Sequence, residues 1–126
     1  MANEINIQAT LAFARDVVGL QAVGSKTISQ SPGTKGILNQ AAVTTTASKL
    51  IDSAASPVGS LGILFVKSLD TNSASVDLSL DGSTQVYSTL KPGEFCLIPI
   101  NKTTVQHIWA KASAGSAAVL FAVAEI

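Results

Sequence analysis

LGILFVKSLDTNSASVDLSLDGSTQVYSTLKPGEFCLIPI, residues 61–100, carries the sharpest structural signals in the chain and decides its fold class. It reads as four β-strands separated by turns. Val76, Leu78 and Leu80 alternate with Asp77, Ser79 and Asp81, the period of a strand with one buried and one wet face. Residues 61–69 are apolar on both parities, with Leu61, Ile63 and Phe65 on one face and Leu64 and Val66 on the other, which predicts a central strand covered on both sides. Asp70-Thr71-Asn72-Ser73 reads as a turn, because Asn and Asp side chains bond their own backbone. At Asp81-Gly82, a three-residue loop (Asp81, Gly82, Ser83) sets Leu78 opposite Val86, apolar against apolar, and is the expected hairpin. Lys91-Pro92-Gly93-Glu94 has Pro second and Gly third, the pattern of a type II turn. Residues 95–100 follow as a strand whose end Pro99 places at an edge or bulge.

Working outward, Ile5, Ile7, Ala9, Leu11 and Phe13 alternate with Asn6, Gln8, Thr10, Ala12 and Ala14, which favours an opening strand. Residues 16–24 read as a bend and a short second strand, with 26–30 continuing as β and Ser31-Pro32-Gly33 forcing a turn. The Ala, Thr and Ser rich stretch after Gly36 contains one β-branched run, residues 43–46. Residues 47–60 read mostly as loop, with an extended piece at Leu50-Ile51 and a short helix over 47–55 as the alternative. Two further strands are expected at 105–112 and 117–126, joined by a tight loop at 113–116. Eight to ten strands with frequent turn signals make an all-β, single-domain antiparallel β-sandwich or jelly roll over residues 1–126, with 1–15 as an extended N-terminal arm or strand.

Composition narrows the function. Charged residues are 13% of 126, about half the usual share, and eight basic and eight acidic side chains cancel. That balance offers no footprint for nucleic acid and no basic patch for an anionic membrane. The apolar runs are too short to span a bilayer. The start, MANEINIQ, shows no secretory signal, so synthesis in a cytoplasm is the expectation.

Chemistry-bearing residues are sparse. Cys96, the single cysteine, sits between Phe95 and Leu97 in a strand and reads as a buried, inert thiol. His107, the single histidine, shares a parity with Val105, Trp109 and Lys111 and has no acid or cysteine at ligand spacing. Asp70, Asn72, Asp77 and Asp81 begin like a calcium loop with an acid at the twelfth place, but Ala74 and Ser75 stand where such a loop needs a ligand and a glycine. Asn101-Lys102-Thr103 matches a glycosylation sequon by chance. Nucleotide-binding, redox and hydrolase motifs are absent from the sequence, so no enzyme, cofactor, metal or small-molecule substrate is expected. Trp109 and Tyr87 remain as a candidate sugar-stacking pair.

In the last strand Val119, Phe121 and Val123 lie on one parity and Ala118, Leu120, Ala122 and Ala124 on the other. A two-sheet sandwich has one core, so the second apolar face predicts cover from another subunit. The candidate interface residues are Ile5, Ile7, Leu11, Phe13, Leu64, Val66 and Leu120.

The run from Leu61 to Asp70, then Asn72, then Leu90-Lys91-Pro92-Gly93-Glu94-Phe95 with Pro99 after it, resembles small structural proteins of tailed bacteriophages. In those a strand ending in Asn-Leu-Asp leads over the sandwich to a Leu-x-Pro-Gly-Glu turn; here Ser68 replaces the usual Asn. The resemblance implies a virion protein on the capsid surface, made in the host bacterial cytoplasm. Its expected role is that of a capsid cement (decoration) protein. Its implied partners are the major capsid protein and copies of itself, with a homotrimer favoured. A tail, neck or fibre subunit and a carbohydrate-binding adhesin module are the alternatives.

Overall fold

The computed structural model describes residues 4–15, 18–29, 36–52, 62–82, 84–100 and 107–125. The turn expected at Ser31-Pro32-Gly33 lies outside them, as do the start of the strand expected at 105–112 and the sequon. All ten regular elements are strands: β1 (Glu4–Arg15), β2 (Val18–Ser29), β3 (Gly36–Thr44), β4 (Ser48–Asp52), β5 (Ile63–Ser68), β6 (Val76–Ser79), β7 (Val86–Leu90), β8 (Phe95–Pro99), β9 (His107–Ala112) and β10 (Ser116–Ala124). The chain divides into two compact units, Met1–Gly33 and Thr34–Ile126.

The second unit is a sandwich of two four-stranded sheets, ordered β3-β10-β5-β8 and β4-β9-β6-β7. The pairs β3/β10, β4/β9, β5/β8 and β6/β7 are all antiparallel, nested around the β6–β7 turn. A long hairpin whose successive strand pairs are laid alternately into two sheets is a jelly roll, closed here by β10 against β5 and β9 against β6. The all-β jelly-roll expectation therefore holds. The four strands expected within residues 61–100 are β5 to β8.

Alternation builds the core. In β10, Ala117, Val119, Phe121 and Val123 point inward, and in β9 Ile108, Ala110 and Ala112 do. They meet Val43, Leu64, Val66, Val76, Leu78 and Leu90 in one cluster between the sheets. At about 25 cal/mol per Å² of apolar surface, this burial is the main term favouring the fold. Two strands are longer than expected. The strand expected at 43–46 begins at Gly36 as β3, and the extended piece expected at Leu50-Ile51 is β4, Ser48–Asp52, where the alternative was a helix. Ala and Leu favour helix, but in β4 Ile51 is drawn inward to the core, and β9 supplies the hydrogen bonds.

The β6–β7 connection is a correction. Leu78 faces Ser88, Ser79 faces Val86, and Tyr87 is the extra residue of a bulge. Leu80 N–H donates to the Gln85 carbonyl, so the loop is longer than the three residues expected. Its cause is local bonding: the Asp81 carboxylate accepts from the Thr84 and Gln85 backbone N–H groups at 3.0 and 2.9 Å, and Ser79 Oγ accepts from Gly82 N–H at 2.9 Å. These side-chain bonds outweigh the apolar cross-strand match that favoured the shorter loop.

The turn at Lys91–Glu94 matches its sequence signature. Glu94 N–H donates to the Lys91 carbonyl at 3.0 Å and Gly93 has φ of +84°. A Cβ on Gly93 would run into the Asp70 carboxylate. Gly93→Ala is therefore expected to destabilise the protein by about 1–3 kcal/mol, read as a lower urea midpoint at unchanged slope. An unchanged midpoint would mean the turn tolerates a side chain.

The first unit is a hairpin. Strands β1 and β2 pair over their whole length, from Glu4 opposite Ser29 to Arg15 opposite Val18, and form a sheet of their own. Of residues 1–15, expected as an arm or strand, Glu4–Arg15 forms one half of a two-stranded ribbon.

Candidate docking faces

Directly paired residues of an antiparallel ladder share a face. In the hairpin, Ile5 faces Ile28, Ile7 faces Lys26, Ala9 faces Gly24 and Leu11 faces Ala22. That side is apolar apart from Lys26 and, at the end of the ladder, Arg15 opposite Val18. On the other side Asn6 faces Thr27, Gln8 faces Ser25 and Ala12 faces Gln21, with Thr27 Oγ1 donating to Asn6 Oδ1 at 2.8 Å. Ile5 and Ile7 are half-buried, while Leu11 is 73% exposed. Phe13 stands opposite Leu20 in the same ladder.

A second apolar surface is the outer side of the β3-β10-β5-β8 sheet. The register aligns Leu38, Ala122, Phe65 and Leu97 across its four strands, and beside them Gln40, Leu120, Lys67 and Phe95. Leu38 and Phe95 are 71% and 60% exposed, and the Phe95 ring lies 5.8 Å from that of Phe65. Leu120 is half-buried on this face, as its parity predicts. Leu64 and Val66 are corrections. Both are fully buried between the sheets, because the register sets them opposite Val123 and Phe121, the inward residues of β10. The outward residues of β5 are those of the other parity, among them Phe65 and Lys67. Since both parities of this strand are apolar, its own sequence could not choose between them. Leu38, Phe65, Phe95 and Leu97 were missed as surface residues; the parity of Ile63 and Phe65 was the available signal.

The outer side of the β4-β9-β6-β7 sheet is polar. Lys49 Nζ is 3.0 Å from Asp52 and 5.7 Å from the Trp109 ring centre. Thr89 Oγ1 donates to Asp77 Oδ1 at 2.7 Å. His107 Nδ1 lies 3.1 Å from Asp52 Oδ1, at an angle that is not that of a hydrogen bond. The expectation of no acid near His107 is thus corrected: β4 pairs with β9 and brings Asp52 opposite it. Partly exposed pairs of this kind contribute about 0–1 kcal/mol. That one sheet is apolar outside and the other polar is therefore set by which parity each turns outward.

Tyr87 and Trp109 do not form one platform. Trp109 packs over Gly82 on the polar face. Tyr87, re-aimed by its bulge, interacts electrostatically with Cys96 of β8 in the opposite sheet. Partial burial, with 38% of its surface still exposed, pushes the Tyr87 phenol above its ordinary 10.0, and the Cys96 charge adds to this. Burial also raises the Cys96 thiol above 9.0, opposed by a hydrogen bond with the Val66 backbone. As the single tyrosine, Tyr87 gives an unmixed alkaline titration. Phenolate absorbance in the folded protein is expected to rise at higher pH than in the urea-unfolded chain. Because the folded pKa is the higher one, the stability it contributes is present below about pH 10 and is lost as pH rises beyond it. Coincident curves would contradict the burial.

Of the calcium-like residues, Asn72 serves the backbone. Asn72 Nδ2 donates to the Ala118 carbonyl at 2.7 Å and to Ser68 Oγ at 3.0 Å, while its Oδ1 accepts from Ala118 N–H at 2.8 Å. Asp70 sits 3.4 Å from Lys67 Nζ. Among the described residues no group of three or more His, Cys, Asp or Glu is placed to hold a metal ion.

No protein-family model matches the chain, and no curated protein matches it either.

Proposed function

We propose that this chain is a structural component of a virion, a capsid cement protein of a tailed bacteriophage that binds over major capsid subunits and stabilises the shell. One observation carries the reading: the sandwich turns an apolar sheet face outward on one side and a charged, internally paired face on the other. A protein with one face for docking and one for water is suited to lie flat on a larger assembly. The resemblance of residues 61–99 to small phage structural proteins selects the assembly. In this reading the protein works by shape and apolar contact, and its β1–β2 hairpin reaches a neighbouring subunit.

Mass spectrometry of purified particles tests it. The protein is expected at a copy number near that of the major capsid protein, and a chain lacking residues 1–15 is expected to lose occupancy. Absence from purified particles would end the proposal. A copy number at the level of a neck or tail subunit would move it to that part of the virion.

A further inference from the structure

Two unpartnered apolar surfaces on one chain invite a single account. A two-stranded ribbon is at best marginally stable alone in water, and its apolar side needs cover. The hairpin presents Ile7, Leu11 and Ile28 on that side. The outer face of the β3-β10-β5-β8 sheet presents Leu38, Leu120 and Phe95. In the single chain Leu11 and Leu38 both stand more than two-thirds exposed.

We infer that the protein self-associates by exchange of this hairpin, the apolar side of β1–β2 from one copy lying on the outer β3-β10-β5-β8 face of a second copy. Dimensions support a second copy as the occupant. Twelve paired residues extend about 40 Å at ~3.4 Å per residue, longer than the ~30 Å of the nine-residue β10, so the ribbon overhangs the sheet it covers. Over the ~30 Å that meets the sheet, two strands spaced ~4.8 Å apart present about 300 Å². Each docked ribbon buries roughly twice that, and a reciprocal exchange about 1,200 Å², the lower end of the range for specific, stable interfaces. Lys26, a cation on the ribbon's apolar side, can lay its stem along the surface and keep its ammonium at the rim. The inference rests on the register and the exposures, and it competes with the virion reading for one sheet face. An assembled species in solution supports exchange, whereas a monomer that binds particles supports capsid docking of that face.

Sedimentation equilibrium of the full chain tests it. The wild type is expected to sediment as a dimer or larger closed oligomer. Leu11→Asp and Leu38→Asp, each at an exposed position outside the core, are expected to raise the dissociation constant by about tenfold or more. A monomeric wild type at high concentration, or two variants as assembled as the wild type, would overturn it. Cross-linking covers the case in which a variant misfolds. In a Cys96→Ser background, Leu11→Cys chains mixed with Leu38→Cys chains are expected to join as heterodimers through a flexible bis-maleimide. A doubly substituted chain that links only within itself would show the ribbon folded onto its own sheet and would refute exchange.

Discussion

Truncating Leu64 to alanine is expected to lower the free energy of unfolding by about 3 kcal/mol, and the same truncation at Leu120 by less than about 1 kcal/mol. The two residues lie on neighbouring strands of one sheet, β5 and β10, and both are leucines in doubly apolar runs. Leu64 is wholly buried, so its removal leaves a cavity lined by the facing sheet as well as the lost transfer energy. Leu120 is half-buried on the outer side, where water can fill the space. Urea unfolding followed by circular dichroism measures both. Equal losses would mean that the inward and outward parities are not as described. The experiment also separates stability from association, since Leu120→Ala is expected to weaken self-association more than it weakens folding.

Asn72→Ala is expected to cost about 2–3 kcal/mol, well above a typical surface substitution. The residue pairing of β5 with β10 ends at Ser68 opposite Val119; Leu69 N–H then donates to the Ala118 carbonyl at 3.1 Å, and the Asn72 amide bonds both backbone groups of Ala118. Without the amide, Ala118 N–H and the buried Ser68 hydroxyl each lose a partner. Asn72→Asp is expected to be at least as damaging at neutral pH, because a carboxylate has no N–H for the Ala118 carbonyl or for Ser68 Oγ. Hydrogen exchange supplies a local readout: the Ala118 amide is expected to lose protection in Asn72→Ala, whereas Asn72→Asp keeps an acceptor for it. Full protection in Asn72→Ala would show that the ladder closes without it.

Together these predictions bear on how residues 61–100 act. Their turns are chemical devices that can be recognised in the residues themselves. Pro92-Gly93 favours a type II turn through the residues alone, and Asn72 was legible as a backbone partner. Asp70, expected to serve the backbone, pairs with Lys67 Nζ. The Asp81 loop was harder to read, because pairing apolar residues and capping the loop with a carboxylate favour different registers, and only the energies of the assembled loop decide between them.

Local alternation, turn chemistry and the shortage of charge determined by themselves that this chain is an all-β sandwich with apolar surface to spare, because a period of two and a Pro-Gly turn are properties of neighbouring residues. The tertiary structure alone decided which apolar side faces the core. In β5 both parities are equally apolar, and the choice between Leu64 with Val66 and Phe65 with its neighbours came from the register against β10. It also decided that Asp52 meets His107 and that β1 closes on β2, since such contacts join residues whose separation in sequence carries no signal. The docking faces proposed here follow from those long-range registers.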